Sequence, residues 1–147
     1  MKLSYKDSKD YNEILYINFI KEILLEYPTY TNKIEERKNE ILEELKLKSK
    51  NYLKNHEDFN SYIENDNKIK ILKARKNMLD NILPKLEKYN KKAYLYVIKR
   101  YIERKNLKDI MKQLELLNPT EVFNLVLVAI KYIGNKIRNS KDFLRKV

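Results

Sequence analysis

A chain of 147 residues, 43% of them hydrophobic, is enough for one domain, or for one domain with an attached hairpin. One Gly and three Pro leave little material for turns and point to helices, and the absence of Cys excludes disulfides, thiol chemistry and zinc fingers. The net charge of +11 is uneven: residues 1–66 carry 11 basic and 14 acidic side chains, residues 67–147 carry 21 and 7, so a polyanionic partner is expected at the C-terminal half.

In chain order, residues 2–9 are polar, and Asp10 with Glu13 opens a first predicted helix in the manner of a capping box. Its apolar residues, from Tyr11 and Ile14 to Leu25 and Tyr27, form a face wider than a surface helix needs, so it is expected to be well buried or to meet a partner chain. Pro28 is expected to stop it, with Tyr30-Thr31-Asn32 as a turn and Asn32 and Glu35 capping the next helix. That helix, residues 33–55, has a narrow stripe of Ile34, Ile41, Leu42, Leu45, Tyr52 and Leu53, as in one arm of an antiparallel hairpin. Glu35, Glu36, Glu40, Glu43 and Glu44 alternate with basic residues and read as a solvated face, not a metal site. His56, the single histidine, falls in a polar segment at residues 55–67 and reads as a loop residue; it has no second His or Cys with which to bind a transition metal.

From Ile69 to Leu86 the spacing predicts a basic third helix, with a kink or restart at Pro84. Tyr89-Asn90 reads as a loop. Residues 91–104 form the next helix, which places Tyr96, Lys99 and Arg100 at i, i+3 and i+4, where aromatic and basic groups can serve nucleic acid or a tyrosine can simply cover its neighbours. Asn106 with Asp109 can cap a short helix at residues 107–116. Asn118 can cap a longer one at residues 119–138, with Pro119 at its first position, where no intrahelical N–H bond is lost. Short helix, tight turn and longer helix outline a helix-turn-helix.

The last helix is apolar nearly all round through Val122, Phe123 and residues 125–130, and such helices are normally buried. One polar strip crosses it: Thr120, Asn124, Lys131 and Asn135, interrupted by Val128. Asn124 can pair with an adenine edge and Thr120 can meet a phosphate or a thymine methyl; alternatively the strip is only the solvent face of a core helix. Lys108, Lys112, Lys136 and Arg138 can hold the phosphate backbone, as can Arg100, Arg104 and Lys105. The lone glycine, Gly134, excludes a Gly-rich phosphate cradle, and no motif marks a nucleophile or base, so neither an enzyme nor a cofactor is expected. No apolar run suits a signal peptide, and residues 122–133 are too short for a membrane span, so a cytoplasmic protein without membrane contact is expected.

Residues 79–137 resemble region 4 of sigma-70-class sigma factors and, more closely, the phage transcriptional regulators of the ArpU and RinA type. Leu83-Pro84-Lys85-Leu86 matches the family's lead-in, Arg100-Tyr101-Ile102-Glu103 the end of its first core helix, and Asn106-Leu107-Lys108-Asp109-Ile110 with Leu114 the start of its helix-turn-helix. Val122, Ala129, Ile130 and Ile133 match the core side of its recognition helix, and Leu24-Leu25-Glu26-Tyr27-Pro28 before a glutamate-rich helix is also similar to the phage proteins. The chain departs from the family at Met111, where a small residue is usual, and at Glu115-Leu116-Leu117-Asn118, where the family's turn carries Gly.

The expectation is an all-α protein with an N-terminal helical hairpin (residues 1–66) and a C-terminal helix-turn-helix-like bundle (residues 67–147). The resemblance implies a DNA-binding regulator of transcription, with an A/T-rich duplex as one target. The alternative is an interaction protein that modulates a host protein such as RNA polymerase or a nucleic-acid enzyme. The two broad apolar faces, residues 11–27 and 122–133, predict a homodimer.

Overall fold

The computed structural model describes residues 8–48 and 56–139. These are helical, with no strand among the described residues, and the protein is all-α. The helices are α1 (Ser8–Glu26), α2 (Tyr30–Lys48), α3 (His56–Asn65), α4 (Asn67–Tyr89), α5 (Lys91–Val97), α6 (Leu107–Gln113) and α7 (Pro119–Arg138). Among the described residues no helix is long and apolar enough to cross a membrane.

Pro28 does not separate α1 from α2 by a loop. A single tight turn, Tyr27–Thr29, joins them, and the backbone stays in the right-handed helical region at Glu26 and Tyr30. Thr29 Oγ1 donates to the Glu26 carbonyl at 2.6 Å, which occupies one acceptor that the helix end leaves open. Tyr30, expected in a turn, is fully buried as the first residue of α2, so Asn32 lies inside that helix. Burial and nearby Glu26 push the Tyr30 hydroxyl up to about 12. On the outside of α2, Arg37 pairs with Glu40 at 3.0 Å, Lys38 with Glu35 at 3.3 Å and Lys46 with Glu43 at 3.4 Å, which makes this face a set of surface ion pairs. Tyr52 and Leu53, expected to continue this stripe, lie outside the described residues.

The polar segment at residues 55–67 folds as helix α3, and His56 stands at its first position, not in a loop. The sequence signal was there: Phe59 and Ile63, four apart, pack against the main core. α4 runs through Pro84 without a restart. Pro84 is exposed, so its ring displaces only solvent, while Ile82, Leu83 and Leu86 on either side are buried and hold the helix across the lost hydrogen bond.

The main core is continuous across residue 66. Ile20, Ile23 and Leu24 of α1 meet Ile34 and Ile41 of α2, Ile69, Leu79 and Leu86 of α4, Val97 of α5 and Ile133 and Ile137 of α7. α1 runs antiparallel along α7. Tyr16 donates its hydroxyl to the Gly134 carbonyl at 2.6 Å, and Arg138 reaches Glu13 at 3.0 Å while lying 4.1 Å over the Tyr16 ring. A Cβ at position 134 would stand 3.0 Å from both Ile20 Cδ1 and Tyr16 Cε1, so the single glycine leaves room for these two α1 side chains against α7.

Asp66 joins the two halves. Its Oδ2 accepts from the Ile69 N–H at 3.1 Å and caps α4, while Arg37 of α2 donates to Oδ1 at 2.8 Å and to Oδ2 at 3.1 Å. The Arg37 hydrogen bonds hold the Asp66 carboxyl below its ordinary value. Its stabilising contribution is therefore full above the ordinary carboxylate range and is lost as pH falls through the lowered folded value. Asp66→Ala is expected to cost about 1 kcal/mol from the cap alone, and Asp66→Asn less, because the amide oxygen keeps the cap. Thermal melts check this: the deficit of Asp66→Asn against the parent protein should shrink as the buffer is made acidic.

Candidate nucleic-acid interface

The helix-turn-helix outline is built from three local devices. Asn106 accepts from the Asp109 N–H at 2.8 Å and starts α6. Asn118 accepts from the Glu121 N–H at 3.0 Å, the Glu121 carboxylate accepts from the Leu117 N–H at 2.6 Å, and Pro119 fills the first turn of α7. Between them the Leu116 N–H reaches back to the Met111 carbonyl at 2.8 Å, and Glu115 takes a φ of 57°. This is the left-handed helix end normally given to glycine, here imposed on a glutamate at a cost of about 1 kcal/mol. Leu116 and Met111 pack in one small cluster with Ile110, Leu114, Val122 and Tyr96, and this packing holds the turn shut.

Tyr96 is thus a core residue, only 4% exposed, which fits the tyrosine that covers its neighbours and not a surface shared with Lys99 and Arg100. Burial raises its hydroxyl pKa against the opposing charge of Arg100. The helix that carries it ends sooner than residue 104. Over Ile98–Ile102 the backbone widens, with the Glu103 N–H bonded to the Ile98 carbonyl five residues back, and the chain leaves through Arg104 at a φ of 56°. Arg104 then donates to the Leu25 carbonyl at 2.9 Å, placing its charge at the C-terminal end of α1, where cations are favoured. Arg100 contacts the Lys105 carbonyl at 3.5 Å, and Lys105 pairs with Glu103 at 3.5 Å. Arg138 is held by Glu13 and Tyr16. These four candidates have intramolecular partners.

The others stand in solvent. Lys108 and Lys112 share one side of α6, roughly opposite buried Ile110 at about 100° per residue. Thr120, Asn124, Lys131 and Asn135 are all exposed on α7, on the side away from Val122, with Val128 half-buried between them. Lys108, Lys112 and Lys131 form no ion pair among the described residues. Lys136 is exposed but lies about 140° round the helix from Lys131, 5.4 Å over the Tyr132 ring, so it belongs to another surface.

Two features escaped the sequence reading. Phe123, expected in a buried helix, is 60% exposed. It lines a groove of about 570 Å³ between α1 and α7 with Ile14, Ile17, Val126, Leu127 and Ile130. The uninterrupted apolar run was the available signal, since one small bundle cannot bury every side of a helix. The second feature is Tyr89, assigned to a loop, which ends α4 and stacks on Tyr132 of α7 with ring centroids 4.7 Å apart.

Because Asn124 is exposed, Asn124→Ala is expected to leave the melting temperature unchanged within about 1 °C, as surface substitutions do. Arg104→Ala, which removes the hydrogen bond to the end of α1, is expected to lower it measurably. A calorimetric comparison of the two variants separates a contact residue from a structural one.

No family model, no curated protein and no solved structure matches the chain.

Proposed function

We propose that this is a non-enzymatic DNA-binding regulator of transcription, of the phage-like kind implied by the resemblance to sigma region 4, which meets duplex DNA through its basic C-terminal half. One observation carries the reading: the outer side of α7 presents Thr120, Asn124 and Lys131 to solvent, beyond a short helix whose Lys108 and Lys112 lack intramolecular ion partners among the described residues. Free lysines neutralise phosphates, and exposed amide and hydroxyl groups on a helix can read base edges. Lys108, Lys112 and Lys131 act on the backbone, and Asn124 with Thr120 on the bases of an A/T-rich site. Arg104 and Arg138 position α1 against the rest of the bundle.

Affinity for duplex DNA is expected to fall with salt by about 0.9 log units per log unit of salt for each phosphate contact. Lys112→Ala should weaken random and A/T-rich duplexes alike and lower that slope by about one contact. Asn124→Ala should cost about 1–3 kcal/mol on a preferred site and little on random sequence. Titrations at low and physiological salt test this, and absence of binding at low salt would end the duplex reading.

The groove beside Phe123 favours a second reading, a helical interaction protein that takes an apolar partner helix, with a host protein such as RNA polymerase or a nucleic-acid enzyme as the target. The same surface accommodates the expected homodimer, since both apolar faces that suggested it line the groove. Sedimentation at about tens of micromolar, where weak interfaces persist, should show a dimer that Phe123→Asp converts to monomer. A monomeric parent protein would leave the groove to a different partner.

A further inference from the structure

We propose that Tyr89 and Tyr132, with the lysines around them, form a platform on which an unpaired base of single-stranded nucleic acid stacks. The two rings lie nearly parallel, 22° apart, with centroids at 4.7 Å. Tyr132 is half-buried and packs against the main core, which accounts for its presence. The core does not account for Tyr89. That residue is 64% exposed, and its hydroxyl has no hydrogen bond among the described residues. It stands at the last position of α4, just before the chain breaks at Asn90, whose side chain caps α5 by accepting from the Ala93 N–H at 3.0 Å. The break holds Tyr89 at the end of a rigid helix and leaves much of its ring in solvent.

The surrounding charge suits a nucleotide. Lys85 lies one turn back from Tyr89 on the same side of α4, Lys92 lies in the first turn of α5, and Lys136 lies 5.4 Å over the Tyr132 ring. All three are exposed, and none forms an ion pair among the described residues. The nearest acidic residue in the chain, Glu87, falls about 200° round the helix from Tyr89, on its other side. An exposed aromatic ring flanked by ammonium groups without ion partners binds single strands with little sequence preference, because every base has a face to stack and a phosphate to neutralise. A duplex keeps its bases stacked on each other and cannot use the ring in this way. The platform is separate from the strip of Thr120, Asn124 and Lys131 and does not rest on the duplex reading.

The test is binding of an oligothymidylate single strand and of oligouridylate, followed by anisotropy and by intrinsic emission, which in this Trp-free chain comes from tyrosine. The parent protein is expected to bind at low salt with quenched emission. Tyr89→Ala should weaken binding about five- to a hundredfold, Tyr89→Phe should match the parent, and substitution of the exposed Lys73 near the other end of α4, Lys73→Ala, should have little effect. A melting curve confirms that the exposed Tyr89 variants remain folded. No single-strand binding by the parent protein overturns the proposal. So does Tyr89→Ala binding like the parent while Lys85→Ala weakens it, because charge alone would then be at work. Duplex titrations of the same variants keep the two readings apart: loss of duplex binding with Tyr89-dependent single-strand binding intact removes only the duplex reading.

Discussion

The close approach of α1 to α7 at Gly134 is the constraint on which the rest of the arrangement depends. The first and last described helices meet there with no side chain on the α7 side, where Ile20 and Tyr16 of α1 pack, and Tyr16 uses the contact to donate to the Gly134 carbonyl. From that point Ile17 and Ile20 are fixed against α7, and the polar ends of the pair are closed by Glu13 and Arg138. Any larger residue at 134 must push away a fully buried Ile20 and a tyrosine held by its own hydrogen bond. The same contact determines which side of α7 faces inward. Ile130, Ile133 and Ile137 turn into the core, and Thr120, Asn124 and Lys131 are left outside.

The bundle distributes its positive charge between structural and free roles. Arg37, Arg104 and Arg138 have groups to hold: the Asp66 carboxylate, the end of α1, and Glu13 with the Tyr16 ring. Lys76 shares Asp80 with the Tyr27 hydroxyl. Burial works to raise the Asp80 carboxyl, but the hydrogen bonds from Lys76 and Tyr27 outweigh it and leave it below its ordinary value. Arginine suits such positions because its planar fork loses less freedom per bond formed. Lys108, Lys112 and Lys131 are exposed and form no ion pair among the described residues. The asymmetry of charge along the chain therefore overstates the number of cations available to a partner, since Arg100, Arg104, Lys105 and Arg138 are engaged inside the molecule.

Much of the architecture was legible from the chain. Asn106 was readable as a cap from Asp109 three positions on and Asn118 from Pro119 directly after it, and both cap as expected. Val122, Ala129, Ile130 and Ile133 were readable as the inward side of α7 from the resemblance to region 4, and all four are buried. The failures share a cause. The turn at Tyr30-Thr31-Asn32, the restart at Pro84 and the polar run before α4 were judged by local preference, whereas packing decided them: buried Tyr30 begins α2, buried Leu83 and Leu86 carry α4 past its proline, and Phe59 with Ile63 anchors α3. Tyr96 was readable either as a partner of Lys99 and Arg100 or as a cover for its neighbours, and the cluster formed by residues 110–122 decides for burial. The Tyr89–Tyr132 stack pairs residues 43 positions apart and has no local signature.

Both joints of α6 use left-handed backbone at residues with long side chains, Arg104 and Glu115. Between them lie only seven helical residues, anchored chiefly by Ile110 and by Leu114 just beyond the helix, in a cluster smaller than the main core. Detaching this segment relieves the strain of both joints while exposing little apolar area, and its few backbone bonds are too short a run to persist alone. The amides of α6 are therefore the first helical ones in this half of the molecule to exchange with solvent. The segment that carries Lys108 and Lys112 rests on the smaller cluster and not on the main core, so opening it is expected to leave the bundle beneath it folded.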